Sequence, residues 1–265
     1  MKSSQSTAER RYRLITLLES QGSLSVDQLA EELHVSSMTI RRDVDYLVEE
    51  GIVSHPDQGK VSIKRDALFE LNIEQKKYVH ITQKRAIGAF CADLVEDNEM
   101  AFIDGGTTTM EVARNVAKRP NVTVMTNSLS VASVVAAVPD AHLSICPGVY
   151  RRRSVDFLGV LATSFISNQD IDIAFLGIGG ISPGFGLSVS NTPEWAFKRS
   201  LIRRAKRIIC VADSSKFGVD WLCVLCPLSD IDLIVTDEGI SDQMASACRK
   251  AGADIAIVDS SKYTG

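Results

Sequence analysis

The length, composition and charge of the chain define its broad class. It has 265 residues, of which 45% are hydrophobic, and its formal net charge is −4. This length predicts a small domain beside a larger one. No run of about 18 apolar residues occurs and Met1 to Arg13 is polar, so we expect a cytoplasmic protein without a membrane partner. Because the net charge is mildly acidic, nucleic-acid binding would have to depend on a local cluster of basic residues.

The six cysteines show no disulfide pattern. They are scattered through apolar, strand-like surroundings, as expected in a reducing compartment. Cys223 and Cys226 have C-x-x-C spacing, but their run is strand-like and ends at Pro227. We therefore interpret them as buried apolar residues, and we predict no metal site and no cofactor.

Residues 1–62 carry the pattern of a small winged helix-turn-helix domain. Helices are predicted over 8–21, from Ser25, where Ser25 and Gln28 have capping-box spacing, and from Ser36 to Gly51. Residues 52–63 have turn residues between short apolar pieces, which is typical of a two-stranded wing.

The third helix has the residues of a DNA-recognition helix. Ser36, Ser37 and Thr39 lie at its N-terminus, which such helices direct toward the base edges. Arg41 and Arg42 follow one turn later, and arginine can bind guanine or phosphate through two donors. Three aliphatic side chains form the opposite stripe: Ile40, Val44 and Leu47.

A structural interpretation of the same helix is available. Ser36 could be only a helix cap, and Arg41 and Arg42 could pair with Asp45 and nearby acids on a solvated surface. The preceding helix, the short turn and the following wing favour DNA binding for residues 8 to 62 as a unit.

The rest of the chain predicts an α/β domain over 85–265, joined by a charged linker over 63–84. Apolar strands alternate with helices, which indicates a mostly parallel sheet covered on both faces. Ligands bind beyond the carboxyl ends of such strands. Strands are predicted at 100–103, 122–125, 142–145, 173–176, 207–211, 233–235 and 255–258.

Polar and glycine residues follow several of these strands. The loop Asp104-Gly105-Gly106-Thr107-Thr108 precedes a helix, and glycines with a helix N-terminus suit phosphate binding. Each motif also has a structural explanation, such as a threonine or asparagine cap, or an i,i+4 pair between Glu194 and Lys198. Because these motifs share a position at the ends of strands, we predict an effector site there. Further candidate residues of this site are Thr126, Asn127, Ser128, Arg152, Gly179, Glu194 and Lys216.

Nearly the whole chain resembles the DeoR family of bacterial transcription regulators. The recognition region has the family's Val-Ser-x-x-Thr-Ile-Arg-Arg-Asp run from Val35 to Asp43, while His55 to Lys60 departs from its usual wing. The family's sensor motifs match Asp104 to Thr108, Thr126 to Ser128, Pro147 to Tyr150 (with Pro147 for a glycine), Gly177 to Gly180, Asn191 to Lys198 and Asp213 to Lys216.

The resemblance implies a Rossmann-like sensor domain similar to sugar-phosphate isomerases. It also implies a phosphorylated sugar or polyol effector, double-stranded operator DNA, and a homo-oligomer, dimer or tetramer. The predicted function is therefore a repressor of a carbohydrate-metabolism operon.

Two alternatives stay open. A sugar-phosphate isomerase-like enzyme needs a general base and an acid, for which Asp104, Glu194, Asp213 and Lys216 are candidates. Related isomerases carry carboxylates after the strand that ends here at Leu176, whereas this chain has Gly-Ile-Gly-Gly, so we predict no catalytic residues. The other alternative is a DNA-binding module with a vestigial pocket.

Overall fold

The computed structural model describes residues 7–49, 52–54, 59–63, 73–76 and 79–263. The chain divides into two compact units, one ending at Val79 and the other beginning at His80. The wing residues 55–58 and the linker segments 64–72 and 77–78 lie outside the described residues.

The N-terminal unit has the predicted helix-turn-helix architecture. The capping box of Ser25 and Gln28 is present at the start of the second helix. The two short strands pair antiparallel, and buried aliphatic side chains from the helices and from Val61 form one core. The elements are α1 (Thr7–Gln21), β1 (Ser23–Ser25), α2 (Val26–Glu32), α3 (Ser37–Glu49), β2 (Lys60–Ser62) and α4 (Ile73–Lys76).

The second unit is built on a parallel sheet. Its strands are β3 (Met100–Ile103), β4 (Thr123–Thr126), β5 (His142–Ile145), β8 (Ile171–Gly177), β11 (Ala205–Val211), β13 (Leu233–Asp237) and β14 (Ile255–Val258). In the described residues these seven strands have the order β14-β13-β11-β8-β3-β4-β5, and all pairs are parallel. The predicted α/β fold class is confirmed.

Helices connect these strands and cover the sheet. They are α5 (Ile81–Ala92), α6 (Thr107–Val116), α7 (Leu129–Ala136), α8 (Val160–Ile166), α9 (Thr192–Arg204) and α10 (Asp242–Lys250). One core contains side chains of α5, α6 and α7, and a second contains side chains of α8, α9 and α10. The sheet is therefore buried on two faces, which accounts for its near-continuous apolar strands.

Shorter strands form two additional structures. An antiparallel hairpin joins β6 (Val149–Arg151) to β7 (Asp156–Leu158). A three-stranded antiparallel sheet has the order β12-β10-β9, from Cys223–Cys226, Gly186–Val189 and Gly180–Ser182. At β12, Trp195 Nε1 donates to the carbonyl of Val224 at 2.7 Å and Arg199 Nη1 donates to the carbonyl of Leu225 at 3.0 Å.

The first helix of the second unit begins earlier than predicted. We expected a start at Arg85, whereas α5 begins at Ile81, after His80 in the left-handed conformation (φ 51°). Lys84 gave this segment the composition of a charged linker, but its side chain is only 3% exposed. The start of this helix was therefore predicted wrongly, because a charged residue in its first turn is buried.

The cysteine environments agree with the interpretation as apolar residues. Cys146, Cys210 and Cys226 are buried, which raises the pKa of each thiol to about 12, while Cys223 is partly exposed. In the described part of the chain, no cluster of His, Cys, Asp or Glu is placed to hold a metal ion. No described helix has the length and apolar character needed to cross a membrane.

The contact between α5 and α6 generates a prediction at Gly88. A Cβ added there would lie 2.5 Å from the backbone carbonyl of Glu111, so Gly88→Ala must separate the two helices. Overpacking costs about 1–3 kcal/mol, and we expect this to exceed the gain in helix propensity of about 1 kcal/mol. Thermal unfolding should therefore show a lower melting temperature, by a few degrees for each kcal/mol.

Gly184→Ala is the matched control, because no atom lies within 4 Å of the added Cβ. Equal melting temperatures for Gly88→Ala and Gly184→Ala would contradict the described packing of α5 on α6.

Candidate functional site

Hydroxyl groups lie together at the N-terminus of α3. Ser36 Oγ accepts from the backbone N–H of Thr39 at 3.2 Å and lies 2.9 Å from Thr39 Oγ1. Ser37 Oγ donates to Asp27 Oδ1 at 2.8 Å. The cap that was considered for Ser36 is therefore present. These hydroxyl groups lie at the N-terminus of α3, which is the end that a recognition helix directs into the DNA groove.

The two arginines of α3 face the solvent. Arg41 and Arg42 are both exposed, and among the residues that the structure describes neither forms an ion pair. The pairing with Asp45 that would have explained them structurally is therefore not seen. Met38, on the same helix, is 58% exposed. The helix presents a polar, cationic surface with one exposed apolar side chain.

A buried carboxylate connects α3 to α1. Asp43 is 1% exposed, and it accepts from Arg10 Nε at 2.6 Å and from Arg11 Nε at 2.8 Å. The Arg11 guanidinium also lies 3.7 Å from the ring centroid of Tyr46. The sequence prediction missed this cluster, because Arg10 and Arg11 lie 33 and 32 positions before Asp43 in the sequence. The cluster therefore connects α1 to α3, the predicted recognition helix.

We predict that Asp43→Ala destabilises the N-terminal unit. Both arginines are less than 30% exposed at the side chain and would lose their acceptor, at a cost of about 1–3 kcal/mol. Hydrogen–deuterium exchange of the full chain should become faster in α1 and α3 and remain unchanged in the β3–β8 region. The exposed residue Asp45 supplies the control, Asp45→Ala. Equal exchange in the two variants would show that Asp43 does not hold these helices together.

In the second unit, an ion pair lies at the carboxyl ends of neighbouring strands. Asp104, directly after β3, is 2% exposed, and its Oδ2 accepts from Lys198 Nζ at 2.7 Å. The same oxygen accepts from the backbone N–H of Gly177, at the end of β8, at 3.2 Å. Lys198 also donates to the carbonyl of Gly177 and lies 3.0 Å from Glu194 Oε1. One lysine therefore joins α9 to the ends of two strands.

The electrostatic balance keeps Lys198 charged. Burial disfavours its ammonium form, but Asp104 and Glu194 outweigh burial and raise the pKa of Lys198 above its ordinary value. The predicted i,i+4 pair of Glu194 with Lys198 is present. The contact between Lys198 and Asp104 joins residues that are 94 positions apart, so it could not be inferred from helical spacing.

The predicted phosphate-binding loop lies beside this pair. α6 begins at Thr107. Its N-cap residue is Gly106, which has no side chain that could cap the first backbone N–H groups of the helix. A Cβ on Gly105 would lie 3.5 Å from Ser128 Cβ and 3.6 Å from Asp156 Cβ. The loop thus leaves backbone N–H groups at the positive end of a ten-residue helix. Thr108 is buried on the same first turn.

The polar residues at the end of β4 and directly after it are all buried. Thr126 Oγ1 accepts from the backbone N–H of Ser128 at 3.0 Å, and Ser128 Oγ caps α7 at Val131. Asn127 is 1% exposed, and its Oδ1 has no hydrogen-bond partner among the described residues. Buried polar atoms are normally paired. Thr126 and Ser128 therefore have structural roles, while Asn127 has an acceptor available for another group.

The β6–β7 hairpin supplies residues that the sequence prediction missed. Arg151 Nη1 donates to Asn191 Oδ1 at 3.0 Å, whereas Arg152 lies exposed in the turn. Asp156 is buried and accepts from Ser154 Oγ at 2.7 Å. Burial raises the pKa of Asp156, although Ser154 and Arg151 oppose the rise. A run of three arginines gives no signal for which one turns inward.

Lys216 lies farther along the same edge of the sheet. It ends a short helical turn, Ser214–Lys216, after β11, and β8 separates β11 from β3. Gly179 lies between β8 and β9, where an added Cβ would be 2.7 Å from Trp221 Nε1. The predicted effector residues thus fall into one group around Asp104, Gly105 and Ser128, and a second around Gly179 and Lys216.

Comparison with known proteins gives consistent matches for both units. A family model described as the DeoR C-terminal sensor domain matches residues 79–238, and one described as a DeoR-like helix-turn-helix domain matches residues 10–66. The transcriptional regulator GlpR of Haloferax volcanii is 31% identical over 95% of this chain and 97% of its own length. The regulator IolR of Bacillus subtilis is 30% identical over 87% of this chain and 91% of its own.

Among solved structures, ribose 5-phosphate isomerase from Plasmodium falciparum is similar with a TM-score of 0.36 and 13% identity, over 51% of this chain and 54% of that chain. The two family matches and the full-length relatives agree with the recognition helix and the sheet described above. The chain belongs to the DeoR family of transcription regulators, with a DeoR-type helix-turn-helix domain followed by a DeoR C-terminal sensor domain.

Proposed function

We propose that this regulator is a repressor of a carbohydrate-metabolism operon, and that a phosphorylated sugar or polyol controls its affinity for operator DNA. The observation that carries the proposal is the uncapped N-terminus of α6 at the carboxyl ends of the strands. Helix N-termini of this kind bind phosphate through backbone N–H groups and the helix dipole. In open α/β sheets, ligands bind in this position.

The surrounding side chains fit the sugar part of such an effector. Asn127 has an unpaired buried acceptor, and Asp156 has a carboxyl group beside Gly105. Carboxyl and amide oxygens accept hydrogen bonds from sugar hydroxyls. Lys216 and Gly179, in the second group, are proposed to contact the effector as well.

The proposed mechanism couples the effector to DNA through an oligomer. A dimer or tetramer would place two recognition helices about 34 Å apart, one DNA turn. The effector shifts DNA affinity by binding one arrangement of the subunits more tightly than another. In this scheme effector binding releases the operator.

The ion pair favours binding over catalysis. A general base must reach a proton of the substrate, whereas the Asp104 carboxylate is buried and is held by Lys198 and the Gly177 N–H. Lys198 is in turn held between Asp104 and Glu194. These residues have a complete structural role without turnover, and we propose that the protein is not an enzyme.

We predict that Arg41→Ala and Arg42→Ala weaken DNA binding without changing effector binding. Loss of a bidentate guanine contact costs about 1–3 kcal/mol, and loss of a phosphate contact lowers the slope of log affinity against log salt by about 1. The measurement is fluorescence anisotropy, over a series of salt concentrations, with a duplex selected from a random library by the wild-type protein.

The control variant is Lys118→Ala, which removes one exposed positive charge from the sensor domain. It should bind the duplex as the wild type does. If all three variants lost affinity equally, the effect would reflect overall charge, and the assignment of α3 as the recognition element would be wrong.

We predict that Gly105→Ala abolishes effector binding while the protein stays folded. The added methyl makes ordinary contacts with Ser128 and Asp156, so the protein tolerates it, but it occupies the space where the backbone would approach a phosphate. The assay is a thermal-shift screen with pentose, hexose and glycerol phosphates, each beside its unphosphorylated parent. A bound ligand stabilises the native state by about 2.7 kcal/mol at 100 times its dissociation constant.

The matched control is again Gly184→Ala, at an open position. A phosphorylated compound should raise the melting temperature of the wild type and of Gly184→Ala but not of Gly105→Ala. A shift that persists in Gly105→Ala would place the effector elsewhere. No shift with any compound in the wild type would favour a vestigial pocket.

A further inference from the structure

The β6–β7 hairpin is attached by its backbone to the loop that follows β4. The N–H of Phe157 donates to the carbonyl of Asn127 at 2.7 Å, and the N–H of Leu129 donates to the carbonyl of Val155 at 3.0 Å. Asn127 is the buried residue whose Oδ1 has no hydrogen-bond partner among the described residues. The hairpin is therefore held directly beside the predicted effector site.

One face of this hairpin carries both Arg151 and Asp156. The two residues are directly opposite each other in the register of β6 and β7. Side chains of such a pair lie on the same face, with their Cβ atoms about 4.5–5.5 Å apart. Asp156 is buried, and its Cβ lies 3.6 Å from the position of a Cβ on Gly105. Arg151 is therefore on the face of the hairpin that meets the predicted phosphate-binding loop.

A chain of side-chain contacts leads from Arg151 back to the same loop. Arg151 Nη1 donates to Asn191 Oδ1 at 3.0 Å, and Asn191 Nδ2 donates to Glu194 Oε2 at 3.0 Å. Glu194 Oε1 lies 3.0 Å from Lys198 Nζ, which binds Asp104 at the start of the loop. The hairpin, the start of α9 and the end of β3 thus form a closed ring of contacts that begins and ends at the phosphate-binding loop.

The two cations of this ring differ in the donors that they have available. An ammonium group has three N–H donors, and Lys198 directs them at two carboxylates and one backbone carbonyl. A guanidinium group has five N–H donors, and among the described residues Arg151 forms one hydrogen bond, to Asn191. Arg151 therefore has donors left for an anion, whereas those of Lys198 are occupied.

We propose that Arg151 is the residue that selects a phosphorylated effector over its unphosphorylated parent, and that Asn191 is its positioning residue. The inference rests on the proposed function above, in which the phosphate lies at the N-terminus of α6. A guanidinium group binds phosphate through two parallel N–H···O bonds. Because Asn191 already holds the guanidinium, less side-chain freedom is lost when the phosphate binds. Arg151 takes the role that the sequence prediction gave to Arg152, which lies exposed in the turn.

The test is a titration of the full chain with inorganic phosphate, with potassium chloride at equal ionic strength as the reference. The dissociation constant is taken from the slowing of hydrogen–deuterium exchange over 107–109. Loss of hydrogen bonds to a charged group predicts binding about 10- to 100-fold weaker in Arg151→Gln than in the wild type. Lys118→Gln removes an exposed positive charge elsewhere in the same unit and should keep the wild-type dissociation constant.

Asn191→Ser tests the positioning role. Asn191 caps α9 by accepting from the backbone N–H of Glu194 at 3.1 Å, and serine is an equally favourable N-cap residue. The shorter serine side chain withdraws the acceptor from Arg151. We therefore expect weaker phosphate binding at an unchanged melting temperature, which a purely structural role of Asn191 would not produce.

Two outcomes would overturn the role of Arg151 while the proposed function stands. One is a lower melting temperature of Arg151→Gln with an unchanged dissociation constant, because Arg151 would then only anchor the hairpin to α9. The other is a loss of phosphate binding in Arg152→Gln but not in Arg151→Gln. Without protection over 107–109 in the wild type, the phosphate site itself would be refuted, and the role of Arg151 with it.

Discussion

The sensor domain depends on the buried ion pair of Lys198 with Asp104. Both side chains are 3% exposed, and a charge without its partner would be costly in that environment. The pair has a specific geometry, because the same ammonium also reaches the Gly177 carbonyl and Glu194. It thus connects α9 to the ends of β3 and β8, directly before the predicted effector residue Gly105.

The N-terminal unit follows the same physical rule. There the buried carboxylate is Asp43, and Arg10 and Arg11 from α1 supply its cations. In each unit a buried acid pairs with a cationic side chain that is distant in sequence, and the pair connects a helix to another element of the same unit. Apolar packing forms the cores, while these charge clusters join particular helices to elements that are distant in sequence.

Much of the architecture could be predicted because it depends on periodicity. The parallel strands are apolar throughout and the helices have clear caps, so the order of elements followed from the sequence. Five short strands were harder to predict, because three or four residues give too short a pattern: β6, β7, β9, β10 and β12. At the candidate site, strand ends indicated Asp104 and Asn127, whereas the directions that Arg151 and Arg152 take depend on the register of the hairpin. The partners of Asp43 are tertiary contacts with no local signal.

The side chains along β12 have a consequence for how the protein behaves at high concentration. An edge strand with free carbonyls is a template for pairing with another chain. Here the carbonyls of Val224 and Leu225 are occupied by Trp195 and Arg199 from α9. Two exposed apolar side chains, Leu222 and Val224, lie beside them and would otherwise favour such pairing. The same helix that holds the buried lysine therefore also protects the small sheet against aggregation through its edge.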